Sequence, residues 1–292
     1  MYNFESYAKA DSVSQAVQLL NENPGASLIA GGTDVLINLH EGKNEFRSLV
    51  DIHDLPELKN ITLSDSEDII IGSGVSFTGL AETPMLSERI PMLVETVSTV
   101  AGPQLRNMAT IGGNICNGMT SADSAPPFFA LNAILTIQGI NGDRDISIKD
   151  FYLGPGKVAI DPREVLKAIT ITRENYEGFS GHYHKYAMRD AMDIATIGCA
   201  AVCKLQDDII KDLRIAYGVA GPVPLRCGKA EEHAIGNKFS EDLLNEISEI
   251  VIEDLNPRGS WRASKEFRLH IIKTLAVRVV EQTIIKAGGK FQ

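Results

Sequence analysis

The sequence predicts an α+β chain in two parts, and three observations carry that expectation. A strand–helix–strand texture with a glycine-rich turn opens the chain, and hairpin-like alternations follow from Leu55. Two long helical stretches close it, after a glycine-bearing segment near residue 178. With 292 residues the chain has room for about two domains, each able to bury a core.

The elements can be taken in order. Ser12 followed by Gln15 makes a capping-box pattern, and Val13, Ala16, Val17 and Leu20 recur at helical spacing. Asn23-Pro24-Gly25 stops that helix. Ser27-Leu28-Ile29-Ala30 reads as a short strand, Gly31-Gly32-Thr33-Asp34 as a tight turn, and Val35 to Leu39 as a second helix start. Leu49-Val50-Asp51-Ile52 supplies the strand that completes this unit. Ile61-Thr62-Leu63 and Ile69-Ile70-Ile71, flanking a polar run, form a hairpin pattern. Thr78 to Glu82 opens a short helix, and Pro91 sits at the first position of another that ends near Ala101-Gly102-Pro103.

Gln104 to Ser124 is rich in Gly, Asn, Thr and Ser with almost no charge, and reads as a long irregular loop. Leu135-Thr136-Ile137 and Ile146-Ser147-Ile148, separated by Asn141-Gly142, form another strand pair. Asn175 to Gly181 is the linker candidate. Beyond it, Ile194 to Leu205 and Leu213 to Val219 read as strands, Asp242 to Asp254 and Ala263 to Lys286 as helices.

Composition excludes several function classes. Lys plus Arg total 28 against 38 Asp plus Glu, a net charge of −10 that is unsuited to gripping a nucleic acid. Hydrophobic residues at 44% exclude a disordered chain. The longest uncharged stretch, Ser124 to Gly142, is broken by Pro126-Pro127 and does not span a membrane. Met1-Tyr2-Asn3-Phe4-Glu5 offers no basic region or apolar run for a signal peptide. Cys116, Cys199, Cys203 and Cys227 include no Cys-x-x-Cys pair, and the simplest reading is a cytoplasmic protein with buried free thiols.

Neither common phosphate motif is present: Gly72-Ser73-Gly74 lacks the third glycine, and Gly154-Pro155-Gly156-Lys157 lacks the long loop and hydroxyl. Two glycine pairs remain, in Ala30-Gly31-Gly32-Thr33-Asp34 and in Thr110-Ile111-Gly112-Gly113-Asn114. Paired glycines allow successive main-chain amides to converge on an anion, and a helix start adds partial positive charge. Either pair alone reads more simply as a plain turn.

Together the two motifs resemble the paired FAD-diphosphate loops of the molybdenum hydroxylase flavoprotein subunits. The resemblance continues through Val50-Asp51-Ile52, Ile71-Gly72-Ser73, Ala101-Gly102-Pro103-Gln104-Leu105-Arg106-Asn107 and Ala122-Asp123-Ser124-Ala125. It reaches Lys185-Tyr186-Ala187-Met188-Arg189 and Ser260-Trp261-Arg262-Ala263-Ser264 in the carboxy-terminal part. Within the family the sequence looks closest to the FAD-binding subunits of bacterial three-subunit xanthine dehydrogenases.

That resemblance implies a two-subdomain FAD-binding fold of the PCMH/VAO-like, CO dehydrogenase flavoprotein type over residues 1–176, with subdomains of about 1–54 and 55–176. A small α+β domain with a three-stranded antiparallel sheet would occupy 182–292. It implies that Ser27, Leu28, Ile29, Ala30, Gly31, Gly32, Thr33 and Asp34 meet FAD from one side. Ala109, Thr110, Ile111, Gly112, Gly113 and Asn114 would meet it from the other. It also marks Asp123 near the ribityl and phosphate portion, Leu166 at the isoalloxazine, and Lys185 near the flavin. Read as residues alone, Asp123 is equally a helix cap, Leu166 a core residue and Lys185 a surface lysine.

The implied function is electron transfer in purine oxidation. A molybdopterin-binding large subunit oxidises the substrate, a small [2Fe-2S] subunit relays electrons, and FAD on this chain passes hydride to NAD. A nicotinate, aldehyde or carbon monoxide enzyme, or a non-catalytic flavin-binding module, is the alternative. No catalytic side chain and no metal ligand is expected on the chain itself. His182 and His184 read as strand neighbours rather than ligands. Arg258, Arg262, Lys265 and Arg268 recur at helical spacing around Trp261, either as a solvated helix face or as a partner-binding surface.

Overall fold

The structure, a computed structural model, describes residues 4–290. The domain limits drawn at 1 and 292, and the leader reading at Met1, Tyr2 and Asn3, fall outside the described residues.

The first subdomain contains β1 (Ser6–Lys9), α1 (Val13–Glu22), β2 (Ser27–Ile29), α2 (Val35–His40) and β3 (Ser48–Asp51). Its strands form a parallel sheet in the order β1-β3-β2. The sequence pattern misses β1 because Ser6-Tyr7-Ala8-Lys9 is polar and largely exposed, so no alternation marks it. Helix α1 buries Val13, Ala16, Val17 and Leu20 against the sheet. Ser12 Oγ accepts the Gln15 amide at 3.1 Å, but the Gln15 side chain reaches back to the Asp11 amide rather than that of Ser12. Only half of the capping box forms as expected.

The second subdomain begins with β4 (Ile61–Leu63) and β5 (Ile69–Gly72). The helices α3 (Phe77–Ala81), α4 (Pro84–Arg89), α5 (Pro91–Ser98), α6 (Pro103–Met108), α7 (Ile111–Cys116) and α8 (Ala125–Ala130) follow. Then come β6 (Ile134–Gly139), β7 (Gly142–Ser147), α9 (Ile148–Phe151), β8 (Tyr152–Gly154), β9 (Lys157–Val158) and β10 (Val165–Ile171). Both expected hairpins form, and β10 runs between them in an antiparallel sheet ordered β4-β5-β10-β6-β7.

The stretch from Gln104 is not the long loop that its composition predicts, since α6 and α7 both lie within it. Pro103 opens α6 at a position that needs no N–H, and the Thr110 side chain caps α7. Ile111 and Ile115 are fully buried, so packing overrides the low helix propensity of Gly112 and Gly113.

The remainder holds α10 (Arg173–Tyr176), β11 (Ser180–Tyr186), β12 (Ile197–Gln206), β13 (Ile209–Gly218) and β14 (Leu225–Arg226). The helices α11 (Gly228–Ala234), α12 (Glu241–Ile250) and α13 (Lys265–Lys286) complete it. The antiparallel sheet has four strands rather than three, because the two-residue β14 pairs with the end of β13. The expected linker is mostly structured: Asn175 and Tyr176 are buried in α10, and Ser180 already belongs to β11.

Alternation along β12 ties the parts together. Ala200 and Val202 face the core of the second subdomain, whereas Cys199, Ala201 and Cys203 face the core beneath α13. Burial pushes the Cys199 and Cys203 thiols up to about 12, so both are packing groups. No helix among the described residues is long and apolar enough to cross a membrane.

Candidate functional site

A cleft of about 350 Å³ opens between the two amino-terminal subdomains. One wall is the β2–α2 connection, with Leu28, Ala30, Gly31, Gly32, Thr33 and Asp34; the other includes Ala109, Thr110, Gly112, Gly113 and Asn114. The two glycine pairs therefore meet across one space. Their approach is close: a Cβ on Gly31 would lie 1.9 Å from the main-chain oxygen of Met108. Asn117 Nδ2 also donates to Asp34 Oδ2 at 3.0 Å, tying the end of α7 to the start of α2.

The β2–α2 connection is built to leave amides free. Gly32 adopts φ +72°, a left-handed conformation that turns the chain from strand into helix. Leu36 N–H donates to Gly32 O, so Thr33, Asp34 and Val35 occupy the first helical turn, whose amides lack acceptors within the helix. No side chain caps them. Among the described residues, the main-chain N–H groups of Gly31, Gly32, Thr33, Asp34 and Val35 donate to no group of the chain.

The second glycine pair, which the family resemblance also marks for FAD, differs from the first in the state of its amides. Ile111 N–H donates to Val75 O at 2.9 Å and Gly112 N–H to Ser73 O at 2.8 Å. Gly113 N–H donates to Thr110 Oγ1 at 3.1 Å and Asn114 N–H to Thr110 O at 3.0 Å. All four amides are engaged within the chain. Gly112 is required instead by close packing, since its Cβ would sit 2.5 Å from that of Ser73. A Cβ on Gly113 would meet only Thr110 Oγ1, at 3.0 Å.

Several marked residues lie away from the cleft lining. Ser27 Oγ donates to Glu45 O at 2.6 Å, Ile29 pairs with Asp51 in the sheet, and Ile111 is core. Asp123 and Lys185 are bonded to each other, Nζ to Oδ2 at 2.8 Å, with both side chains less than a tenth exposed. Tyr183 OH donates to the other carboxylate oxygen at 2.8 Å. Burial pushes the Asp123 carboxyl above its ordinary range, against the pull of the Lys185 ammonium. Neither plain alternative holds: Ser124, not Asp123, stands at the cap of α8, and Lys185 is not a surface lysine.

Leu166 does line the cleft, with Val165 beside it on β10. The sequence reading missed Ser73, Gly74, Phe77, Cys116 and Asn117, and also Val35, Asn38, Phe46, Ile52, Gly156 and Val165, all of which line the cleft. Gly72-Ser73-Gly74 carries a signal for two of them, as a glycine pair at the end of β5 that shares in the family resemblance.

The lining contains no Lys or Arg. An anion here would be held by main-chain dipoles at a helix start, each charge-assisted hydrogen bond contributing roughly 1.5–3 kcal/mol. Burial pushes the Cys116 thiol up to about 12, so it offers no nucleophile near neutrality. No group of His, Cys, Asp and Glu that could hold a metal occurs among the described residues. Asp34, held by Asn117, is the carboxylate of this lining.

Comparison with known proteins agrees with this geometry. Two family models match: FAD binding domain in molybdopterin dehydrogenase, over residues 2–198, and CO dehydrogenase flavoprotein C-terminal domain, over residues 182–283. The chain is 48% identical over 292 residues to the xanthine dehydrogenase FAD-binding subunit of Escherichia coli, covering 100% of both. The carbon monoxide dehydrogenase of Hydrogenophaga pseudoflava, solved without the Mo-pyranopterin moiety, aligns with a TM-score of 0.92 at 28% identity. That alignment covers 97% of this chain and 98% of the other. Quinoline 2-oxidoreductase from Pseudomonas putida aligns with a TM-score of 0.92 at 25% identity, over 98% and 99%.

Proposed function

The chain belongs to the molybdenum hydroxylase family as an FAD-binding oxidoreductase subunit, and on that premise we propose that it is the electron-transfer flavoprotein of a xanthine dehydrogenase. The single observation that carries its cofactor chemistry is the run of undonated amides from Gly31 to Val35, facing a cleft without cations.

These residues fit FAD. The amides of the β2–α2 connection hold the diphosphate, and the absence of side chains at Gly31 and Gly32 lets the main chain come close. Thr110, Gly113 and Asn114 close the opposite wall, while Val165 and Leu166 give an apolar surface for the ring system. Asn117 holds the Asp34 carboxylate at 3.0 Å, where it would suit hydroxyls of the cofactor better than its phosphates. Asp123 and Lys185, outside the lining, form a buried and mutually neutralising pair.

When bound, FAD supplies the exchange between single electrons arriving from [2Fe-2S] clusters and a hydride leaving to NAD. In this reading the clusters belong to a small partner subunit, and molybdopterin to a large one that oxidises a purine. Four cysteines kept as free thiols, three of them buried, are consistent with a cytoplasmic setting.

The purified chain should be yellow and carry about one flavin, as one cleft provides. After reduction with dithionite, NAD should restore the oxidised flavin spectrum. A flavin-loaded protein that NAD leaves reduced would remove NAD as acceptor, and a colourless chain that takes up no added FAD would overturn the whole reading.

A further inference from the structure

The sequence cluster around Trp261 lies outside the flavin cleft and takes a shape that helical spacing did not predict. Arg258 and Arg262 precede α13, and Arg268 turns inward, so no solvated helix face is formed. Trp261, the chain's only tryptophan, is 78% exposed, and the Arg262 guanidinium stacks over its ring at 4.3 Å. The loop presenting them is pinned by paired main-chain hydrogen bonds between Ser260 and Ala263, at 2.9 and 3.2 Å.

Beneath this pair, Arg268 is 3% exposed and donates to Thr196 O and to Ser260 Oγ. Its Nε has no partner, and neither has Oγ1 of the buried Thr196. Arg258 and Arg262 lie close enough that, after burial, they are what hold the Arg268 guanidinium below its ordinary range. No carboxylate pairs with any of the three among the described residues, although Arg144, Arg163, Arg214 and Arg226 each meet one. Unbalanced positive charge around an exposed indole stands out in a chain of net charge −10.

We propose that Arg258, Trp261 and Arg262, backed by Arg268, form the docking surface for an acidic, carboxylate-bearing segment of a partner subunit. Charge complementarity selects the occupant: guanidinium groups pair carboxylates in bidentate fashion, and no described residue supplies one. Exposed Trp and Arg are the side chains that most often anchor interfaces, and a stacked pair is already ordered before binding. The surface rests on the multi-subunit reading above, but shares no residue with the cleft lining.

The test uses the three-subunit complex, co-expressed and captured through a tag on the molybdopterin subunit, then washed with rising sodium chloride. Arg258→Glu combined with Arg262→Glu should weaken retention of this chain by about tenfold or more while its flavin content stays unchanged. Retention equal to the wild type across the salt series would overturn the proposal. Should charge reversal cost the chain its flavin and hence its fold, Trp261→Ala decides by the same criterion. Release by sodium phosphate but not by sodium chloride of equal ionic strength would assign a small anion to the cluster and also overturn it. Failure of the wild type itself to join either subunit, with FAD retained, would defeat the multi-subunit reading and the surface with it.

Discussion

Two glycine pairs of nearly the same texture face each other across one cleft, yet they do opposite things with their amides. Gly31 and Gly32 sit where a strand turns into a helix, and the five N–H groups from Gly31 to Val35 donate to nothing among the described residues. Gly112 and Gly113 sit inside the first turn of α7, where Val75, Ser73 and Thr110 take up every N–H from Ile111 to Asn114. Close packing is common to both, since Gly31 makes room for Met108 and Gly112 for Ser73; only the first pair leaves its amides open. What separates them is the supply of acceptors: the main-chain oxygens of Val75 and Ser73 and the Thr110 cap serve α7, whereas the Asp34 side chain caps nothing at the start of α2.

The sharpest way to break this contrast is Gly32→Asp. It puts a side chain at φ +72° and a carboxylate among the free amides. Loss of about two charge-assisted hydrogen bonds predicts FAD binding weaker by about a thousandfold, measured by fluorescence titration, whereas Gly113→Ala should stay within about tenfold of wild type. Equal losses at the two positions would erase the distinction.

A smaller effect is expected at Gly112→Ala, and on stability rather than affinity. The added carbon would sit 2.5 Å from the Ser73 Cβ, so thermal unfolding should show a destabilisation of about 1–3 kcal/mol. The smallest is Thr110→Val, which removes the α7 cap. A loss of about 1 kcal/mol in stability is expected, with flavin affinity nearly unchanged. A large loss of affinity there would show that the second loop holds the cofactor directly.

The fold was legible where local chemistry and packing agree. The amphipathic α1, the strand-to-helix turn at Gly31-Gly32 and both hairpins follow from periodicity and turn residues. Strand β1 was not legible because it is polar, and α7 because Gly112 and Gly113 argue against a helix that Ile111 and Ile115 impose by burial. The cleft was half legible. Which loops line it could be seen from the motifs, but the state of each amide depends on partners such as Ser73 and Val75, far away in sequence. The Asp123–Lys185 pair likewise joins residues whose contact exists only after β11 packs on the second subdomain.

The central claim is that the amides of residues 31–35 hold the FAD diphosphate while those of 111–114 serve the fold. Amide hydrogen exchange resolved by residue, on the flavin-loaded chain and on the same chain stripped of flavin, tests this most directly. The account predicts that exchange at 31–35 is fast without FAD and strongly slowed by it, and that 111–114 are protected in both states. Exchange at 31–35 that ignores FAD, or protection at 111–114 that appears only with it, would contradict the account.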